Sequence, residues 1–177
     1  MKIGFTGTRE GMSPRQQNEI GHFLSAHHDW WSDNPVNQAH HGECIGADSD
    51  FHELARINGF EVWGHPSTLT TRNLGLTGFA FQHDPIKPVT RDHHIVDQTE
   101  LLIATPLDLE KVRSGTWTTV RWARKRKRYI FIVYPNGSLQ IEFEDGRIFF
   151  RGMWVSLEQI PLLGHGGGSV DLPDPKW

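Results

Sequence analysis

The feature that most constrains this chain is an alternation. A short apolar run, a turn of small and polar residues, and a helix with one apolar stripe follow one another repeatedly through residues 2–134. The run Lys2–Thr6 (KIGFT) reads as a buried strand leading into Gly7-Thr8-Arg9. Ser13 stands where a helix N-cap belongs, with Pro14 at the first helical position and Gln16 completing a capping box. Ile20, Phe23 and Leu24 then share one face of that helix. A weaker strand, Val36–His41, precedes a helix from Asp48 to Gly59 in which Phe51, Leu54 and Ala55 face inward. The strand Phe60–Trp63, the helix Arg91–Asp97, the strand Leu101–Thr105, the helix Gly115–Lys125 and the strand Tyr129–Tyr134 continue the pattern. Residues 67–89, rich in Thr, Gly and Pro, read as a loop. Strands alternating with helices predict right-handed crossovers, hence an α/β domain whose parallel sheet carries helices on both faces. From Leu139 the period changes to two around Asp145-Gly146, the sequence of a type I′ hairpin. The expected division is a ligand-binding domain over 1–137, a β-hairpin appendage over 138–163 and a flexible tail over 164–177.

Composition narrows the function classes. A chain of 177 residues supports one independent domain and hardly two. Lys and Arg number 18 against 21 Asp and Glu, a net charge of -3 that argues against a dedicated duplex-DNA binder. No apolar run reaches the ~18 residues of a membrane span, and the first residues (MKIGFTGTRE) lack a signal-peptide core. Cys44 is the single cysteine, which excludes an internal disulfide framework and a Cys-rich zinc site. A cytoplasmic location is the expectation.

In an open parallel sheet, ligands bind beyond the carboxyl ends of the strands. Four segments at that edge carry small or polar residues: Thr6–Arg9, Gly42–Asp48, Gly64–Ser67 and Ser114–Thr118. The Gly46 and Gly115 turns lead directly into helices, whose free N–H groups favour a phosphate. Hydroxyls of Thr8, Ser114, Thr116 and Thr118 add hydrogen bonds, and Arg9 adds a positive fork. One such loop is usually only a tight turn; several converging on one edge favour a binding site. The GxGxxG fingerprint and the GxxxxGK[ST] phosphate loop are both missing, which disfavours an ordinary dehydrogenase or P-loop NTPase.

The ordered set TGTRE, HHGECIGADSDFHELAR, GHP, RDHHIVDQTELLIATP and SGTWTTVRWARKRKR resembles the SLOG superfamily, nearest to its YspA-like, YpsA-related branch. The resemblance covers about residues 3–135 and implies a Rossmann-like fold that binds nucleotides or nucleotide-derived ligands. Carried over by motif, it assigns Gly7, Thr8 and Arg9 to the first-strand loop. Gly42, Gly46, Ala47 and Asp48 fall in the second loop, Arg91 and Asp92 at the middle helix, and Gly115 and Thr116 at the phosphate turn. Glu43 and Cys44 depart from the Gly-Ala of that second loop. In the distantly similar LOG phosphoribohydrolases, a glutamate assists N-glycosidic cleavage; the matching position here is Thr119. Without that carboxylate hydrolysis should be slow, unless Glu43, Asp48 or Asp50 replaces it. Asp48 is equally a candidate helix N-cap and Asp50 a first-turn acid.

Histidine is frequent, at 11 residues, and the pairs His40-His41 and His93-His94 fall in or beside the matched motifs. Ligand-contacting loop histidines are the simpler account than metal ligands, because no HxH or HExxH spacing occurs. No metal and no cofactor is therefore expected. The run Arg121–Arg128 ends a helix, where cations offset the dipole; DNA-processing protein A, another SLOG relative, keeps a single-strand-binding alternative open. Trp30, Trp31, Trp63 and Trp122 are core or interface candidates, whereas Trp117 could stack on a base. The resulting expectation is a protein that senses or sequesters a nucleotide-derived small molecule, such as an ADP-ribose-related or cyclic nucleotide, without transforming it. By weaker analogy this suits bacterial or phage defence or counter-defence. Arg9 would pair with phosphate, and Trp117 or His93 would contact base or ribose. The enzymatic alternative is a nucleotide N-glycosidase or deoxyribosyltransferase-like transferase using Glu43 or Asp48. SLOG proteins commonly pair through their helices, so a homo-oligomer is expected, with the tail after Gly164 crossing to a partner.

Overall fold

A computed structural model describes residues 1–27, 36–69, 75–150 and 153–156. Trp30, Trp31 and the tail 164–177 lie outside the described residues. The elements run β1 (Lys2–Gly7), α1 (Pro14–His27), β2 (Gln38–His41), α2 (Ala47–Ile57), β3 (Glu61–Gly64), β4 (Phe81–Gln82), α3 (Pro88–Gln98), β5 (Leu101–Thr105), α4 (Gly115–Lys125), β6 (Tyr129–Val133), β7 (Leu139–Glu142), β8 (Ile148–Phe150) and β9 (Met153–Val155). They form one nine-stranded sheet in the order β4-β3-β2-β1-β5-β6-β7-β8-β9. Pairing is parallel from β4 through β6 and antiparallel from β6 through β9. The α/β class with a largely parallel, Rossmann-like sheet is the one the alternating sequence predicts.

Side-chain alternation divides the core between the two faces. Ile3, Phe5, Ile103, Phe131 and Val133 point to one face, where Ile20 and Leu24 of α1 and Phe51 and Ala55 of α2 cover them. Leu102, Ala104, Ile130 and Ile132 point to the other, covered by Val96 of α3 and by Trp117, Val120 and Ala123 of α4. Each fully buried aliphatic or aromatic side chain contributes roughly 1.5–3 kcal/mol of transfer free energy. At the first face the rings of Phe5 and Phe51 stack at 4.3 Å, only 5° from parallel, tying α2 to β1. The capping box is formed as expected: Gln16 N donates to Ser13 Oγ (3.1 Å) and Ser13 N donates to Gln16 Oε1 (2.9 Å).

Five local expectations change. The segment 67–89 contains β4, which pairs Phe81 and Gln82 with Trp63 and Gly64, and an isolated bridge from Ser67 to Ile86. Helix α3 begins at Pro88 rather than Arg91, because proline at the first turn forgoes an N–H that would be unsatisfied anyway. Asp48 is not the cap of α2: the N-cap is Gly46, and Asp48 sits inside the first turn. The Asp145-Gly146 connection is not type I′, which needs positive φ at both residues. Gly146 alone has it (φ 85°). Gly146 N donates to Phe143 O, and Phe143 N to Arg147 O, which makes a three-residue loop with a glycine bulge. Strand β9 adds a third member beyond the expected hairpin, so β7, β8 and β9 continue the main sheet.

Candidate functional site

Strand order reverses between β1 and β5, so the loops leaving these neighbours diverge and open a crevice at their carboxyl ends. Gly7 ends β1 opposite Thr105. A Cβ at Gly7 would lie 2.5 Å from Thr105 Oγ1 and closer still to Ala47, so only glycine lets α2 approach β1 here. Ala47 N donates to Thr8 O at 2.9 Å, and Gly46 takes φ 90° with its Cα against the Thr8 and Arg9 carbonyls. These contacts occupy the start of α2. The start of α4 is different. Ser114 caps it, its Oγ accepting from Trp117 N (3.4 Å) and its carbonyl from Thr118 N (2.9 Å). The N–H groups of Gly115 and Thr116 meet no acceptor among the described residues, and Gly115 has open space beside it. Thr116 Oγ1 donates to Gly7 O at 2.9 Å, tying α4 to β1. Thr105 Oγ1 is buried at the same edge without a partner. Arg9, in the loop after β1, is exposed, and its side chain pairs with nothing among the described residues.

The loop 42–48 forms a second, closed constellation. Thr77 O takes the proton of His52 Nε2 (3.0 Å), leaving His52 Nδ1 to accept from His41 Nε2 (3.0 Å). His41 Nδ1 then accepts from Glu43 N at 3.1 Å. Glu43 adopts φ 56°, is 2% exposed, and takes Gln82 Nε2 on Oε2 at 2.7 Å. Burial pushes its carboxyl above the ordinary range, against the opposing pull of the Gln82 hydrogen bond. Asp48, 7% exposed, accepts from Cys44 N at 3.1 Å. Arg91 is equally committed to the protein. It donates to the Gly42 carbonyl, to His65 O (3.2 Å), to Cys44 Sγ (3.4 Å) and to Asp92 Oδ1 (2.8 Å). Burial raises the Asp92 carboxyl to about 6 although Arg91 opposes it.

Not every candidate reaches this edge. Trp117 is 2% exposed, packs inside the second core face and donates Nε1 to Asp108 O. It is therefore closed to a base, because its position on α4 faces the sheet. His93 stacks on Trp122 at 3.8 Å, between α3 and α4. Thr118 Oγ1 donates to Ser114 O and accepts from Arg121. Three of the six cations in the basic run are in ion pairs: Arg121 and Arg124 bind Glu110, Arg124 also binds Glu142, and Arg126 binds Asp97.

Sequence reasoning passed over Gln82, Thr105, His65 and His83 as individual residues. His65 follows β3 and His83 follows β4, and both rings meet His94 of α3. Desolvation lowers His65 to about 2 and His40 to about 3, so both imidazoles are neutral. Only the glycine-histidine-proline segment hinted at this; His83 sits in the stretch that reads as loop.

No family model matches the chain, and no curated protein matches it in sequence. Solved structures do match in fold. The molybdenum cofactor binding protein of Rippkaea orientalis superposes with a TM-score of 0.55 at 15% identity, covering 75% of this chain and 76% of that one. The molybdenum cofactor carrier protein of Chlamydomonas reinhardtii gives 0.53 at 15% identity, with 75% of each chain covered. DNA processing protein A of Streptococcus pneumoniae gives 0.55 at 17% identity, covering 75% of this chain and 50% of that one. At such identities the likeness concerns architecture: the chain shares the Rossmann-like sheet of these proteins.

Proposed function

We propose that this protein is a SLOG-type binder that senses or sequesters a phosphate-bearing, nucleotide-derived small molecule in the β1/β5 crevice. The observation that carries this reading is the start of α4, where the N–H groups of Gly115 and Thr116 meet no acceptor among the described residues and Gly115 has open space beside it. An anion accepts from such N–H groups and is favoured by the positive end of the helix dipole. That one fold neighbour is named as a binding protein and another as a carrier protein for the molybdenum cofactor supports a small-molecule ligand on this architecture.

Binding without transformation is favoured because the carboxylates expected to drive N-glycosidic cleavage are already engaged. Glu43 is enclosed against Gln82, and Asp48 holds the Cys44 amide. The ion pairs along Arg121–Arg126 likewise disfavour single-stranded DNA as the main ligand. Incubating the purified protein with NAD, ADP-ribose, cyclic nucleotides, mononucleotides and molybdenum cofactor, then releasing bound material by heat for mass spectrometry, tests this. One intact species in near-stoichiometric amount is the expected result. Free base accumulating beyond the protein concentration would make the protein an enzyme and overturn the reading.

A further inference from the structure

We propose that His65, His83 and His94 form a three-histidine site for a divalent transition-metal ion of the zinc class. The three residues come from three elements: the end of β3, the end of β4 and the middle of α3. One ring nitrogen from each lies within 4.8 Å of the others. His65 Nδ1, His83 Nε2 and His94 Nδ1 are all buried without a hydrogen-bond partner. Three partnerless imidazole nitrogens beside one another are unfavourable in a folded protein unless something fills the space between them. An ion at zinc–nitrogen distances of about 2.0–2.1 Å needs its ligand atoms about 3.3 Å apart, which small ring rotations supply.

A relay of hydrogen bonds prepares the His65 nitrogen. Gln38 Oε1 faces His40 Nε2 at 3.4 Å, so His40 carries its proton there and accepts at Nδ1. His65 Nε2 lies 2.9 Å from that Nδ1 and must donate to it. The lone pair of His65 is therefore left on Nδ1, the atom that faces the cluster. His94 Nε2 meets the Gln98 amide at 2.7 Å. The Gln98 side-chain nitrogen donates to that Nε2, which leaves the ring proton of His94 on Nδ1; coordination through Nδ1 therefore requires the Gln98 amide to turn over so that its oxygen accepts from Nε2. Such outer partners are what orient metal-binding imidazoles. Three imidazoles and an open fourth position suit Zn(II) or Co(II), whereas Mg(II) and Ca(II) prefer oxygen. The site stands two strands along the sheet from β1, roughly 10 Å by strand spacing, and does not depend on the nucleotide reading.

Titration of metal-stripped, full-length protein with Co(II) and Zn(II) tests the site, with calorimetry for stoichiometry and the visible Co(II) spectrum for geometry. One ion per chain with a tetrahedral Co(II) spectrum is expected. His83→Ala and, separately, His94→Gln should weaken binding by about 100-fold or more, while the exposed His22→Ala leaves it unchanged. Ligand-free melting curves of each variant verify that it is folded. Absence of one-to-one binding by the native protein would overturn the proposal. So would full affinity in folded His83→Ala or His94→Gln, which would place the ion elsewhere.

Discussion

Arg91 closes over Gly42. Its Nη1 donates to the Gly42 carbonyl, and any Cβ at position 42 would collide with the guanidinium. A side chain here would therefore push away the group that also holds His65 O and Cys44 Sγ. Gly42→Ala is expected to destabilise the fold by about 1–3 kcal/mol, the usual cost of overpacking. Urea denaturation of the variant against the native protein measures it, and an unchanged midpoint would show that Arg91 is free to move.

Glu43 should impose a pH dependence on stability. Its carboxyl titrates higher in the folded chain than the ordinary 4.5, because burial disfavours the charge. The folded state then binds the proton more tightly than the unfolded state does. The associated stability is fully present below the ordinary value and is lost as pH rises through the raised folded value. Glu43→Gln, which keeps an acceptor for Gln82, should flatten this fall. Thermal unfolding from mildly acidic to neutral pH checks the slope.

Arg124 ties α4 to the antiparallel extension. Its Nε and Nη2 grip both oxygens of Glu142, at 2.8 and 2.7 Å, and Nη1 reaches Glu110. Glu142 is 5% exposed, so removing the arginine strands a buried charge. Arg124→Ala should cost about 3–5 kcal/mol, and Arg124→Ala with Glu142→Gln should cost clearly less than the sum of the single changes. A double-mutant cycle by chemical denaturation reads both.

Arg9 separates binding from folding. It is exposed and makes no contact with a partner among the described residues, so Arg9→Ala should leave stability within about 0.5 kcal/mol. Loss of one charge-assisted hydrogen bond, roughly 1.5–3 kcal/mol, should weaken ligand binding by about tenfold or more. Calorimetry with the ligand recovered from the nucleotide mixture checks the affinity, and unchanged affinity would remove Arg9 from the site.

Much of the architecture is written locally and was therefore legible. Apolar runs such as Leu101–Thr105 and Tyr129–Val133 are strands on any face pattern, and Ser13 with Gln16 announces its helix through contacts three residues apart. The turn at Ser114–Thr116 was equally readable, because a cap and a glycine are local features. Strand β4 was not: two residues carry no period, and Phe81-Gln82 becomes a strand only because β3 offers an edge. The Asp145-Gly146 turn depended on how β7 and β8 register, which two residues cannot specify.

The sequence by itself determined which residues are strand, helix and turn across most of the parallel half, and hence a sheet whose loops converge at one edge. Tertiary structure alone decided what those residues face. Trp117 looked available beside its glycine turn, yet helical phase buries it against the sheet. Arg91 and Glu43 carry charges that suggest a ligand, yet their partners, Gly42 and Gln82, lie 49 and 39 residues away in the chain. His65, His83 and His94 share no readable spacing and meet only because β3, β4 and α3 pack at one corner. Backbone hydrogen bonds and side-chain periodicity act within a few residues, so they print themselves on the sequence; contacts between distant segments exist only once the sheet has assembled.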